Sequence, residues 1–240
     1  MMKNIRYILQ SLVILLFMVG AGIDVFAMDT GFTTEPMSKE DIDTFLKNTN
    51  ITLLSDEPPK KAIDCFDVND GGLVAIGFGD NSNKKVCIYT NDGIFQYGYS
   101  FECSGKFGIE LNKNILNIYY VRSDVAVAVN PQGEIESVQS IQNTTKNNSY
   151  WNHSVYLNRR KIGKTEYVLQ NDMGLLNAFA SSYSQLVIIE ANGKTRMIYD
   201  VNSEQFARML FSVILVLLFT CVVIVCINRT VIKGRRWHRG

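Results

Sequence analysis

The sequence predicts a mainly β protein: three repeated four-stranded antiparallel meanders, with a short N-terminal helix before them and a C-terminal transmembrane helix after them. Three observations carry this. From Ile63 onward apolar residues recur with a period of two, the period of a strand. Turns centred on Asn and Gly interrupt that alternation at similar intervals. The run "MLFSVILVLLFTCVVIVCI", residues 209–227, then continues for 19 residues without a charge.

In chain order, residues 1–27 allow two readings. Lys3 and Arg6 precede an apolar stretch at 12–19, and Val25 and Ala27 sit at the −3 and −1 places of a cleavage site. A cleaved signal peptide fits, and so does an uncleaved N-terminal membrane helix over 7–27. Both keep Lys3 and Arg6 inside and export residues 28–207. Residues 28–62 are expected to form a helical lead-in and linker. In "MSKEDIDTFLKN" (37–48) Ser38 is placed to cap a helix, Asp41 comes three residues on, and Ile42, Phe45 and Leu46 share a face. "ITLLSDEPPKKA" then reads as a strand and a Pro-Pro break.

Residues 63–207 are the expected extracytoplasmic β-repeat domain. Three segments align on their turns. Each opens with a strand ending at Asn69, Asn112 or Asn171 and continues through "LVAIGF", "ILNIYY" or "LLNAFA". A third strand comes next, "VCIYT", "VAVAVN" or "LVIIE", and the chain returns past Gly93, Gly133 or Gly193 in a more amphipathic fourth. The intervals from Asn to Gly are 24, 21 and 22 residues, as repeats of one supersecondary unit produce. Asp-Gly and Asn-Gly at 92–93 and 192–193 suit the positive φ of tight hairpins. Residues 144–164 read as an insertion, with "SVYL" and "TEYVL" as an extra hairpin. Because open sheet edges invite pairing, the lead-in helix or a partner is expected to cover at least one. Over 63–199 the meander resembles a β-propeller blade, without the Trp-Asp or Gly-His signature of the commonest propeller repeat. That resemblance implies a partial propeller-like or open β-repeat domain; an ordinary β-sandwich fits the same hairpins.

Residues 208–228 are the expected transmembrane helix. Nineteen residues at about 1.5 Å each span roughly 28 Å, close to the hydrocarbon thickness of a bilayer. Arg229, Lys233, Arg235, Arg236 and Arg239 come after it with no acid among them, a positive-inside flank with Trp237 as an interfacial anchor. Residues 229–240 are therefore expected to be a basic cytoplasmic tail. The predicted location is the cell membrane: single-pass with 28–207 outside, or two-pass if the N-terminal segment is retained.

The runs "FQYGYSFECSGKFGIE", "IYYVRSDVAVAV" and "NDMGLLNAFASSYSQLVI" resemble an uncharacterised family of small membrane-anchored proteins of Gram-positive, clostridia-like bacteria. The resemblance implies bacterial origin and envelope location, and no activity.

Chemistry is sparse. A net charge of +1, with the basic tail supplying more than that, excludes an electrostatic nucleic-acid footprint. His153 is the only histidine between the two apolar ends, and no phosphate loop, HExxH or GxSxG occurs. No enzyme, cofactor or metal is therefore expected. Arg159, Arg160, Lys161 and Lys164 fall within six residues, either as a solvated hairpin tip or as a patch for anionic headgroups or anionic envelope polymer. Tyr150 and Trp151 lie just before them, able to stack on a sugar or seat at an interface. Cys65, Cys87 and Cys103 read either as buried small hydrophobes or as one disulfide and a free thiol. The resulting expectation is a non-enzymatic module binding the membrane and another membrane or envelope protein, or an anionic envelope polymer. The alternative is an envelope enzyme such as a glycan hydrolase, its carboxylate pair drawn from Asp67, Asp70, Glu110 and Asp124.

Overall fold

Ser38 starts the first helix. Its hydroxyl accepts the Asp41 N–H at 3.1 Å and donates to Asp41 Oδ2 at 2.6 Å. The helix, α1 (Lys39–Thr49), ends on Asn50, whose φ of 45° is left-handed and whose N–H returns to the Leu46 carbonyl. Short strands flank it, β1 (Thr34–Pro36) and β2 (Thr52–Leu54). The computed structural model describes residues 28–237, with side chains to 225. The signal or anchor reading of 1–27 and the basic side chains of 229–240 lie outside the described residues.

Beyond the lead-in the chain is antiparallel β. Sheet I contains β3 (Cys65–Val68), β4 (Val74–Asp80), β5 (Asn83–Tyr89) and β6 (Phe95–Glu102), with β2 added beyond β6. Sheet II contains β7 (Phe107–Asn112), β8 (Ile115–Tyr120), β9 (Val125–Val129) and β10 (Ile135–Ile141), with β1 beyond β10. Sheet III is β11 (Arg159–Ile162), β12 (Thr165–Gln170), β13 (Gln185–Ile189) and β14 (Thr195–Asp200). Three sheets, with β3 set against both β7 and β11, do not make a closed propeller. The edges of β6 and β10 are covered by the lead-in's own strands, with Thr34 opposite Ile141 and Thr52 opposite Ser100. Strands, rather than the expected helix or partner, do the covering. Backbone groups at an edge are satisfied best by more backbone.

Sheet I is the middle layer, and its pleat explains the sequence. Cys65, Ala75, Val86 and Ile88 face a core shared with Phe107, Ile109, Leu116 and Val127 of sheet II. Their neighbours Phe66, Val74, Ile76, Cys87 and Tyr89 face a second core with Leu169, Leu186, Ile188 and Tyr199 of sheet III. A strand buried on both faces loses polar alternation, as β4 and β5 do. The helix α1 packs Ile42, Phe45 and Leu46 onto the first core. A third cluster lies on the far face of sheet II, where Phe32 meets Tyr119, Ala126, Ile141 and Val155.

Sheet III corrects the expected alignment. "LLNAFA" is not a strand; residues Gly174–Phe179 form a 3₁₀ turn with no sheet neighbour. Gly174 has φ +59°, and Asn177 accepts the Met173 N–H at 2.9 Å while donating to the Asn171 carbonyl at 3.2 Å. These side-chain bonds give the backbone an alternative to a ladder. The supposed insertion supplies one strand instead. "TEYVL" becomes β12 and pairs with "RRKI" as β11, while the start of "SVYL" lies in a tight π-type turn (Trp151–Val155) after the short helix α2 (Thr145–Tyr150).

One turn joins layers. Gly93 has φ +79°, and a Cβ there would lie 2.8 Å from the Ile198 carbonyl oxygen of β14. Gly93→Val combines a disfavoured backbone with a contact that cannot give, so a loss of about 2–4 kcal/mol is expected. Urea denaturation of the detergent-solubilised chain, monitored by circular dichroism, checks it.

The last element is α3 (Asn202–Trp237), continuous with β14 through Val201. Among the described residues it is the one helix long and apolar enough to cross a membrane, over Asn202–Val225. Its apolar stretch is not buried against the β body; Phe211 and Phe219 are 62% and 71% exposed.

Candidate functional site: a buried acid cluster where the sheets meet

Two acids interrupt otherwise apolar strands: Asp67 in "CFDV" of β3 and Glu110 in "FGIELN" of β7. Because β3 and β7 run side by side, both acids arrive at one place. Asp67 Oδ1 accepts from Arg160 Nε at 2.8 Å, and Oδ2 accepts the Leu111 backbone N–H at 2.8 Å. Arg160 reaches inward from β11; its second nitrogen donates to the Val155 carbonyl at 3.2 Å, and its guanidinium lies 5.8 Å from the centre of the Phe66 ring. The pair is nearly enclosed, at 12% and 13% side-chain exposure.

Glu110 is held by hydroxyls. Tyr119 and Tyr150 donate to its two oxygens, and Thr30 donates from 3.4 Å. Thr30 shares that proton with the Tyr119 hydroxyl, 2.6 Å away, whose own proton is donated to Glu110. The segment carrying Thr30 is tied across sheet II, with the Asp29 carbonyl accepting from Asn112 and Asn117 side chains. Phe32 then wedges among Tyr119, Tyr150 and Trp151, ring centres 4.7 to 4.9 Å apart.

Burial pushes both carboxyls above their ordinary range. For Asp67 the Arg160 charge and the Leu111 N–H pull back against it. For Glu110 the tyrosine hydroxyls pull back, while the Asp67 charge adds to the rise. An acid raised in the folded state holds its proton after the unfolded chain has released it. Stability from Glu110 is therefore present below the ordinary value of 4.5 and is lost as pH rises through the raised folded value. Glu110→Gln keeps one acceptor oxygen and removes the charge. Its stability relative to wild type is expected to improve between about pH 4.5 and neutrality, read as paired melting curves across that range. A pH-independent offset would contradict this.

The structure separates the four cations that the sequence groups. Arg160 points inward. Arg159, on the opposite face of β11, pairs with Glu166 at 2.9 Å, and Lys161 and Lys164 are exposed. Tyr150 is committed to Glu110, and Trp151 stacks on Tyr156 at 5.6 Å and 21°. Of the four acids considered together, Asp67 and Glu110 converge, while Asp70 and Asp124 stay exposed at turns. His153 is exposed and bonds locally to the Ser149 carbonyl at 2.9 Å. What sequence reasoning missed is Arg160 as the partner of Asp67, 93 residues away. An acid at an inward position of an apolar strand was the available signal.

Cys65, Cys87 and Cys103 are free and buried. Burial drives all three thiols up, Cys87 to about 12, which makes them poor nucleophiles. Among the described residues no group of three or more His, Cys, Asp or Glu is arranged to hold a metal ion.

No protein-family model matches this chain, and no curated protein matches it.

Proposed function

We propose that this chain is a membrane-anchored extracytoplasmic module that binds another membrane or envelope protein, or an anionic envelope polymer, rather than a catalyst. One observation carries the reading most. The acid cluster, which is where chemistry would be sought, has its oxygens taken by internal donors: Arg160 and Leu111 for Asp67, Tyr119, Tyr150 and Thr30 for Glu110. Such a network fixes strands to one another and leaves neither carboxylate of the cluster unbonded. The exposed apolar helix α3 supports the anchor, and the basic residues after its uncharged run support a cytoplasmic end. We read the three sheets as related meander units in a partial, propeller-like array, as in small anchored envelope proteins of Gram-positive bacteria. The surface left for an anionic polymer is Lys161 and Lys164 with Arg159 beside them.

Topology is tested by adding protease to wall-stripped cells. Residues 28–207 should be digested, with a fragment around α3 protected; an intact body on sealed cells sinks the reading. Binding is tested by sedimenting the purified chain with anionic wall polymer. Co-sedimentation that falls when Arg159, Lys161 and Lys164 become Gln supports the polymer; no co-sedimentation leaves a protein partner, sought by co-purification in mild detergent.

A second reading, an envelope glycan hydrolase, has one observation in its favour: Asp67 and Glu110 lie close enough for one charge to raise the other's pKa. Release of soluble sugars from wall material by wild type, abolished in Glu110→Gln, would establish it.

A further inference from the structure

Outside α3, the two most exposed large apolar side chains of the described residues are Leu175, at 93%, and Phe179, at 73%. Both sit on the 3₁₀ turn Gly174–Phe179 that replaces an expected strand. The stretch 173–183, "MGLLNAFASSY", carries no charge. Two solvent-facing apolar residues on an uncharged loop are costly in water unless something covers them.

The position of the loop indicates what covers it. Asn202, the first residue of α3, accepts the Asp172 N–H at 3.2 Å and donates to the Asp172 carbonyl at 2.6 Å. Gln205, one turn on, donates to the Ser182 carbonyl at 3.2 Å. Ser184 closes the base of the loop: its hydroxyl donates to Asn202 Oδ1 at 2.7 Å and its N–H donates to Asn171 Oδ1 at 2.7 Å. Met173 is buried beneath the turn as its footing. Both ends of the loop are thus bonded to the first turn of α3, and the 3₁₀ turn packs beside that helix. Four residues after Gln205, at Met209, the uncharged run begins. At 1.5 Å per residue that is only about 6 Å along the axis, within the headgroup zone that borders the hydrocarbon.

We infer that Leu175 and Phe179 insert into the outer boundary of the same bilayer that α3 crosses, so that loop and helix hold the β body at a fixed tilt. The inference rests on the membrane reading of α3. The chemistry recognised is a lipid interface, and because the loop is uncharged it needs no anionic headgroup. A free tether would let the body swivel about residue 201; a second apolar contact clamped to the helix stops it.

The test uses the full chain with Cys221→Ser and Cys226→Ser, since Cys65, Cys87 and Cys103 are buried and stay unlabelled. A single nitroxide is placed through Leu175→Cys, Phe179→Cys, Lys164→Cys or Leu217→Cys, in phosphatidylcholine vesicles. Collisions with oxygen and with a water-soluble nickel complex are compared by power saturation. Position 217 should report the bilayer interior and 164 bulk water. Positions 175 and 179 should give an oxygen-to-nickel ratio severalfold above that of 164 and below that of 217. If 217 is deep but 175 and 179 match 164, the inference fails while the membrane reading stands. It fails equally if 175 and 179 exclude both colliders, which means a protein surface covers them. If 217 itself meets nickel as freely as 164, both fall.

Discussion

Arg160→Ala lowers the stability of the β body by about 3–5 kcal/mol, the usual consequence of removing one partner of a buried ion pair. The lost attraction is the smaller part. Asp67, 13% exposed beside Arg160, keeps only backbone donors such as the Leu111 N–H, so a carboxylate is left poorly paired in a nearly closed site. With the Arg160 charge gone, burial meets less opposition and drives its pKa higher still. A carboxyl raised in the folded state gains stability as pH falls through that raised value toward the ordinary 3.8. The deficit of Arg160→Ala should accordingly shrink on acidification, the reverse of ordinary acid denaturation. Replacing both partners, Asp67→Leu with Arg160→Met, should recover most of the loss, because apolar groups of similar size need no pairing. Urea midpoints of wild type, both single variants and the double variant at pH 7 and pH 5 read all of this. A loss under about 1 kcal/mol for Arg160→Ala at pH 7 would mean the pair is solvated, against its geometry.

Tyr199→Ala is expected to cost about 3–5 kcal/mol, and Tyr199→Phe about 1–3 kcal/mol. Tyr199 is 1% exposed in the core between sheets I and III, with the Tyr89 and Phe78 rings 6.0 and 6.4 Å away. Its hydroxyl donates to the Lys61 carbonyl at 2.8 Å and accepts the Lys61 N–H at 2.9 Å. One side chain thus fills the core and pins the linker that enters β3. Alanine removes both; phenylalanine removes only the hydroxyl and leaves two backbone groups unpaired. The two variants together separate packing from hydrogen bonding. Similar losses in both would put the whole effect on the linker.

The four-stranded meanders of sheets I and II can be read from the chain because each of those strands is local in its cause. A period of two, an Asn turn and a Gly turn specify a meander without reference to distant residues. Sheet III misleads for a definite reason: "LLNAFA" has strand composition but contains Asn177, whose side chain bonds back to the Met173 N–H and the Asn171 carbonyl first. Its displacement by "TEYVL" depends on which segment can reach Leu186 and Ile188, a long-range question. The lead-in helix is legible through Ser38 and Asp41; the strands on either side of it, three residues each, are too short to signal. The site obeys the same rule. Asp67 and Glu110 can be singled out as acids, whereas their side-chain donors come from residues 30, 119, 150 and 160. Arg160 reads as one of four neighbouring cations, and only the pleat of β11 turns it away from the other three.

The covered edges impose an order of events on a newly made chain. Residues around Thr33 leave the ribosome early, yet Asn147, which receives and returns their backbone bonds, lies 114 positions later. Until β10 emerges the first strand has no edge to pair with, and until residue 147 follows, the Thr33 backbone lacks the Asn147 side chain that fastens it. Docking of the N-terminal strap thus follows the making of β10, and a chain stalled before residue 147 would hold that strap by strand pairing alone.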